Sequence, residues 1–327
     1  MLEDYRVKSL SFEEFGQIWR QSAGLLDWNC LFVLPFWLQT VCRHLGSAGE
    51  PLILAFERSG QPAGVVPLAV EDRCARFLGN PDVCDYQDLI VAPGQASQVL
   101  RAMQAYLRSQ GIRRLELGTL RPDATLLAAL KQAAALDELA LEVVQEDVTY
   151  ETTLPASWDA YLRQLKGKQR HEVRRKIRRL EAHGPFHYGM ADNNGLLDKA
   201  VERFMQLFQS NREDKAAFMS GAMGEYFGDL IQTLGHHSFL RLYFLEIDTQ
   251  LAATVLCFDY NGIRYLYNSG YDKQFEALSV GMLCKILSIR SGIEMGCQGY
   301  DFLKGAETYK KHIGGWEVPL YRCDVRI

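Results

Sequence analysis

The sequence contains no C-x-x-C pair, and no histidine sits at zinc-ligand spacing from any of its eight cysteines. That argues against a structural zinc site and against a dithiol redox centre. Cys30, Cys42, Cys74, Cys84, Cys257, Cys284, Cys297 and Cys323 lie mostly in apolar surroundings such as VLCFDY and MLCKIL, which predicts buried, reduced thiols. No stretch approaches the roughly 18 uninterrupted apolar residues of a membrane span. The opening MLEDYRVKSLSFEEF lacks the basic segment and apolar core of a signal peptide, so a soluble, cytoplasmic protein is expected. Charge of one sign is not in excess either. A net charge of -4 argues against binding nucleic acid or membrane through overall charge, and leaves any such role to a local patch.

What is present is ordinary for a soluble enzyme: 48% hydrophobic and 23% charged residues, in a chain of 327 residues that is comfortable for two domains. In the first half, SFEEFGQIWRQSA opens with Ser11 followed by Glu13 and Glu14, a capped helix. FWLQTVCRHL and SQVLRAMQAYLRSQG read as further helices, as does LLAALKQAAAL. PLILAFERSGQPAGVVPLAVE holds two strand-like runs around a hairpin turn, and DYQDLIV, RRLELGTL and ALEVVQEDVTYETTL read as extended.

The second half repeats the order. SWDAYLRQLKGKQRHEVRRKIRRLEAHG reads as one helical region, followed by the amphipathic LLDKAVERFMQLFQSN and by GEYFGDLIQTLG. FLRLYFLEI, LAATVLCFDY and IRYLYNSGY read as three strands with hairpin-sized gaps. LSVGMLCKILSIRSGIEMG is a helix, and GYDFL and WEVPLYRCDVRI are strands. The absence of a regular βαβ series makes this α+β. TTLPASW marks the boundary, giving domains 1–152 and 153–327.

Three stretches carry candidate chemistry. In residues 165–181, eight cations (Lys166, Lys168, Arg170, Arg174, Arg175, Lys176, Arg178 and Arg179) face only Glu172 and Glu181. Leu162, Leu165, Val173, Ile177 and Leu180 form an apolar stripe that would seat the helix, leaving the basic residues for a phosphorylated or carboxylated partner. A solvated helix face is the plainer reading. In LSVGMLCKIL, a helix starts just after a strand and offers unpaired N–H groups to a phosphate, with Gly281 permitting close approach. In YDFLKGAETYKKHIGGW, a strand breaks at Gly305 into a run of ionisable groups. Lys310 could stabilise an oxyanion there, and Asp301 or Glu307 could accept a proton.

On these residues, the chain resembles acyltransferases of the GNAT superfamily grouped with CelD-type proteins of cellulose biosynthesis, distant relatives of the FemABX aminoacyltransferases. WDAYLRQLKGKQRHEVRRKIRRLE is similar to that family's basic helix, YNSGYDKQFEALSVGMLCKIL to its strand and Ser-x-Gly helix start, and GYDFLKGAETYKKHIGG to its strand-end signature. NCLFVLPFWLQTV and GNPDVCDYQDLIV resemble its N-terminal helix and Asp-Tyr strand. The resemblance implies two GNAT-like domains in tandem, each a mixed central sheet flanked by helices. It implies transfer of an acyl group from an acyl-CoA or acyl-carrier-protein thioester, without a metal, to an amine or hydroxyl of a cell-envelope or exopolysaccharide-related acceptor, a small molecule or glycan precursor. It places Asp301, Tyr309 and Lys310 by the reaction centre. The donor arm would lie at Ser279, Val280, Gly281, Met282 and Lys285. The acceptor side would be served by Lys168, Arg170, Arg174, Arg175 and Arg178, with Tyr86 and Asp88 in DYQDLI and Arg212 in NREDK.

The usual phosphate loop, (Gln/Arg)-x-x-Gly-x-(Gly/Ala), is reduced here to QFEALSVGM with one clear glycine. Coenzyme A, a carrier-protein thioester and an aminoacyl-tRNA therefore all stay open as donors. The alternatives are a FemABX-like aminoacyltransferase that uses tRNA and a degenerate, non-catalytic scaffold. No long helical hairpin insertion of the FemABX type is present.

Overall fold

Where a local signal is complete, the chain obeys it. Ser11 caps α1 (Phe12–Gln21): its hydroxyl accepts from Glu14 N, while the Glu14 carboxylate accepts the Ser11 N–H at 2.8 Å. In the computed structural model the described residues are 5–22, 24–136, 139–191, 197–210 and 221–327. They divide into two units, Met1–Asp147 with Val318–Ile327, and Val148–Glu317. The last ten residues thus join the first unit, and the division falls at 147/148.

The first unit is a mixed sheet of β1 (Tyr5–Leu10), β2 (Glu50–Arg58), β3 (Gln61–Glu71), β4 (Cys74–Phe77), β6 (Arg114–Leu120) and the end of β13 (Trp316–Arg326), in that spatial order. The short β5 (Ile90–Val91) pairs with β3. Among the described residues of this unit only β4 and β6 run parallel. Besides α1, the helices are α2 (Pro35–Leu45), α3 (Ala96–Ser109) and α4 (Thr125–Ala135). Leu54, Phe56, Leu100, Met103, Leu115, Leu126 and Val325 share one core. It joins the sheet face to the apolar stripes of α3 and α4.

The second unit repeats the plan. Its sheet runs from the end of β7 (Ala140–Thr153) through β12 (Gly299–Lys304), β11 (Ile263–Tyr271), β10 (Gln250–Tyr260) and β9 (Leu240–Ile247) to β8 (Phe186–Met190). Among the described residues its one parallel pair is β11 with β12. Among the described residues its helices are α5 (Trp158–Gln164), α6 (Gly167–His183), α7 (Leu197–Ser210), α8 (Ala222–His236), α9 (Val280–Glu294) and the single turn α10 (Thr308–His312). The expected α+β class of mixed sheets flanked by helices is what each unit shows. Among the described residues, no helix is long and apolar enough to cross a membrane.

Two local readings need correction. The helical region from Ser157 breaks into α5 and α6, because Leu165 turns extended to bury its side chain and Gln169 Oε1 takes the Lys166 N–H at 3.0 Å, starting a new helix. DYQDLIV is strand only at Ile90–Val91, since Asp88 is diverted to another task described below. The YKKH turn is helical. The edge strands YRVKSL and FHYGM carry no apolar alternation strong enough to mark them in the sequence.

α9 is fastened to the sheet through buried polar groups. Arg264 on β11 has no exposed surface, and its guanidinium makes a two-pronged contact with Asp259 at 2.7 and 2.8 Å. Its remaining reach goes to the Ser288 carbonyl of α9 at 2.9 Å. Ser288 Oγ also meets the Tyr300 hydroxyl of β12 at 2.7 Å. These bonds fix where the start of α9 points, at the carboxyl ends of β11 and β12.

Candidate functional site

The parallel pairing of β11 and β12 covers only Ile263–Tyr265 against Gly299–Asp301. Beyond it, β11 continues to Tyr271 and leads through a 3-10 turn, Lys273–Leu278, into α9, while β12 ends in a turn at Gly305. The carboxyl ends of a parallel pair are where open sheets hold ligands. Both sequence-flagged stretches converge on this place.

At the β12 end, Leu303 is buried and adopts φ +61, a left-handed conformation that is an outlier for so bulky a residue. The surroundings hold it there. Asp301 Oδ1 accepts the Leu303 N–H at 2.7 Å and the Thr149 hydroxyl at 3.3 Å. Lys310, 1% exposed, donates from Nζ to the carbonyls of Leu303, Lys304 and Gly305 at 2.8, 2.8 and 2.9 Å. Its ammonium also lies 2.8 Å from Glu307 Oε2. Gly305, at φ +110, leaves room for that carboxylate: a Cβ there would come within 2.6 Å of Glu307 Oε2.

This corrects the expected roles of Lys310 and Asp301. An ammonium has three protons, and all three have a carbonyl partner, so none is left for a substrate oxyanion. Asp301 is 3% exposed and binds the backbone of its own turn. Both residues hold a strained strand end; neither is a reacting group in this arrangement. Tyr309 differs. It is half-buried, its hydroxyl makes no hydrogen bond to the described residues, and Lys285 Nζ lies 5.0 Å from its ring centroid. Burial, then the nearby Glu307 carboxylate, pushes the Tyr309 hydroxyl well above the usual phenol range. It is a proton donor throughout neutral pH.

At the start of α9, Ser279 sits in the left-handed region, φ 59 and ψ 39, and its side chain caps none of the helix N–H groups. Instead its hydroxyl accepts from Lys176 Nζ at 2.9 Å and from Arg179 Nη2 at 3.0 Å. Two cations from α6 therefore face the positive end of a helix dipole, an arrangement that favours a bound anion. Lys176 is partly balanced by Glu172, 3.2 Å away. Arg179 Nε is buried with no partner among the described residues. Val280 buries its side chain fully and can offer a ligand only its backbone N–H, while Met282 packs against the core and its N–H already donates to the Ser279 carbonyl at 3.0 Å. The space beside Gly281 that its missing side chain leaves is filled from within: a Cβ there would lie 2.8 Å from the Tyr271 ring, so its smallness serves helix–strand packing. Lys285, one turn on, donates to the Gly281 carbonyl at 3.2 Å and ties Tyr309 to the same helix start.

The structure sorts the basic run into two faces. Lys176 and Arg179 turn inward to Ser279; sequence reasoning counted them in the run without singling them out. The available signal was helical spacing, since both flank the stripe of Val173 and Leu180. Lys168, Arg174, Arg175 and Arg178 are exposed and Arg170 is half-buried. None of these reaches Ser279. Arg175 is paired with Glu172 at 2.7 and 2.8 Å, and its guanidinium is the main cause that holds the Glu172 carboxyl down at about 2.

The remaining candidates lie elsewhere. Asp88 accepts the N–H groups of Thr125 and Leu126 at 2.7 and 2.8 Å, capping α4 from outside the helix. Burial raises its pKa against those bonds. Tyr86 is buried edge-on against Phe32, with Arg121 5.2 Å from its ring centroid. Both are structural parts of the first unit, and the acceptor role expected of them is withdrawn. Arg212 lies outside the described residues. Among the described residues no group of His, Cys, Asp and Glu is placed to hold a metal. The cysteines are free thiols, mostly buried.

Residues 167–311 match the family model described as an acetyltransferase (GNAT) domain. Similar solved structures include FemX, at 11% identity and a TM-score of 0.64, covering 97% of this chain and 96% of that one. The C-terminal domain (DUF2156) of a putative lysylphosphatidylglycerol synthetase from Agrobacterium fabrum matches at 13% identity and a TM-score of 0.59, covering 88% and 86%. L-PGS from Bacillus licheniformis matches at 10% identity and a TM-score of 0.57, covering 88% and 90%. At such identities the likeness is one of fold. No protein of curated function matches the sequence.

Proposed function

We propose that the second unit transfers an acyl group from a phosphate-bearing thioester to an amine or hydroxyl. The observation that carries this reading is the uncapped start of α9, with Lys176 and Arg179 both on Ser279. A donor phosphate would displace the hydroxyl as their partner and take the free N–H groups of Val280 and Gly281. The arm would then run between the diverging ends of β11 and β12 toward Tyr309.

There the acceptor's lone pair adds to the thioester carbonyl. The tetrahedral intermediate breaks its C–S bond, and the sulfur takes the Tyr309 proton. The acceptor's proton passes to solvent, from which Tyr309 is reprotonated. Lys310 and Asp301 act as positioning residues that hold the β12 end. The CelD-type affiliation and an envelope or exopolysaccharide-related acceptor belong to this proposal through the sequence signatures alone.

The test is thermal unfolding against acetyl-CoA, longer acyl-CoAs, free CoA, holo-acyl carrier protein and bulk tRNA. A ligand of the folded state at about 100 times its dissociation constant adds roughly 2.7 kcal/mol and raises the midpoint by a few degrees. A shift with a thioester or CoA, lost in Lys176→Gln/Arg179→Gln, supports the reading. A shift with tRNA alone would replace it with aminoacyl transfer. No shift with any of them would favour the non-catalytic scaffold.

A further inference from the structure

The outward face of α6 has no task in the site described above. Lys168, Arg174 and Arg178 are exposed and Arg170 is half-buried, and none forms an ion pair with the described residues. Among the described residues, the only side-chain bond from Arg178 goes to the Arg174 carbonyl. Like charges left unpaired on neighbouring turns repel, and the face becomes favourable only against an anionic surface. From Lys168 to Arg178 the helix rises about 15 Å. That is too long for one phosphate, which a single turn would satisfy.

We infer that this face docks an acidic protein surface that delivers the thioester on a phosphate-linked arm: a carrier protein. The inference rests on the donor-site reading above and names the donor's source. The two faces of one helix divide the recognition. Lys176 and Arg179 receive the arm's phosphate at Ser279, and Lys168, Arg174 and Arg178 meet carboxylates of the protein that carries it. Arg170, Arg174 and Arg178 recur at four-residue steps and suit an acidic helix, whose carboxylates recur at similar steps. RNA is the weaker match. Gly167–His183 contains no Phe, Tyr or Trp for base stacking. The chain has a pI near 6.0 and a net charge of -4, unlike the strongly basic domains that hold long polyanions.

The experiment measures binding of fluorescently labelled holo-acyl carrier protein to the full chain by anisotropy, with free CoA and bulk tRNA as competitors. Three proteins are compared: wild type, Lys168→Glu/Arg174→Glu/Arg178→Glu, and Lys176→Gln/Arg179→Gln. The expected result is carrier binding that weakens about 10-fold or more on the outer-face reversal and falls steeply with salt, while affinity for free CoA stays within about twofold. The inner-face variant should weaken both. The substituted outer residues are exposed, so an unchanged melting midpoint establishes that the variant folds. Carrier binding that ignores the outer-face reversal overturns the inference, as does CoA binding without carrier binding; in both cases the donor site stands. Binding of tRNA that the reversal abolishes, without carrier binding, overturns it in favour of RNA. Failure of both CoA and the carrier to bind removes the donor-site reading and this inference together.

Discussion

Each unit ends the second strand of its parallel pair on a residue with positive φ that is not glycine: Thr119 at 54° on β6 and Leu303 at 61° on β12. Each holds that residue with a carboxylate on its N–H. Glu146 Oε1 accepts from Thr119 at 2.7 Å, and Asp301 Oδ1 accepts from Leu303 at 2.7 Å. The bulged strand end is therefore a property of the repeated fold and by itself says nothing about chemistry. What differs lies around it. The second unit adds a buried lysine on the carbonyl side of the bulge. The helix starts differ as well. In the first unit, the start of α4 is filled by the chain's own Asp88, and α3 begins at Gln95 with no side-chain cap. In the second, the start of α9 is left uncapped and two cations are aimed beside it. A helix start already holding a carboxylate is satisfied, whereas one flanked by cations is suited to an anion from outside.

The largest expected effect tests the added lysine. Lys310→Ala leaves three carbonyls of a strained turn without their donor and should cost about 3–5 kcal/mol in chemical denaturation, as breaking a buried charged network does. Full stability in that variant would end the clamp reading. Thr119→Gly sharpens the contrast. It should be neutral or stabilising by up to about 1 kcal/mol, because glycine relieves the left-handed strain. Leu303→Gly should destabilise, because it also removes a fully packed side chain.

Next comes Tyr309→Phe, which removes only a hydroxyl. Turnover should fall about 100-fold or more with little change in KM, the mark of a lost proton donor. Unchanged turnover would remove Tyr309 from the reaction. Lys176→Gln/Arg179→Gln should lower donor affinity about 100-fold, measured by calorimetry with CoA, since each charge-assisted bond contributes roughly 1.5–3 kcal/mol. Its stability should be unchanged or higher, as two cations leave a positive helix end.

The smallest effects concern pH, and the two carboxylates should act with opposite signs. Asp88 has a raised pKa in the folded state, so its contribution is full below the ordinary value of 3.8 and is lost as pH rises through the raised value. Glu172 has a lowered one, so its contribution is present above 4.5 and is lost as pH falls toward about 2. Glu172 is solvated and its share should be screened by salt. Asp88→Asn should remove the first dependence and cost about 1 kcal/mol of capping, read from unfolding midpoints across pH 3–7.

Much of the fold was legible because its signals are local. The Ser11–Glu14 box, the hairpin at Ser59–Gly60 and the apolar stripes of α3 and α7 each need only a few neighbouring residues to form. The break between α5 and α6 was not, since Leu165 leaves the helix for a core assembled from distant strands. The candidate site was legible as two segments but not as roles. Lys310 looks in sequence like a free cation beside a glycine stop, and Asp88 like a polar loop residue; each is consumed by backbone groups that the fold brings to it.

The sequence by itself determined the α+β class and the placement of a dense basic helix ahead of a Ser-x-Gly helix start. Hydrophobic period, turn residues and charge density are carried by near neighbours and survive without tertiary context. Only the tertiary structure decided which two of eight cations meet Ser279 across about a hundred residues of chain. It alone showed that Gly281 is filled by Tyr271 and that Lys310 spends its protons on the β12 turn. A side chain's partner is set by what packing places within hydrogen-bond reach, and in each of these cases that partner comes from the folded sheet.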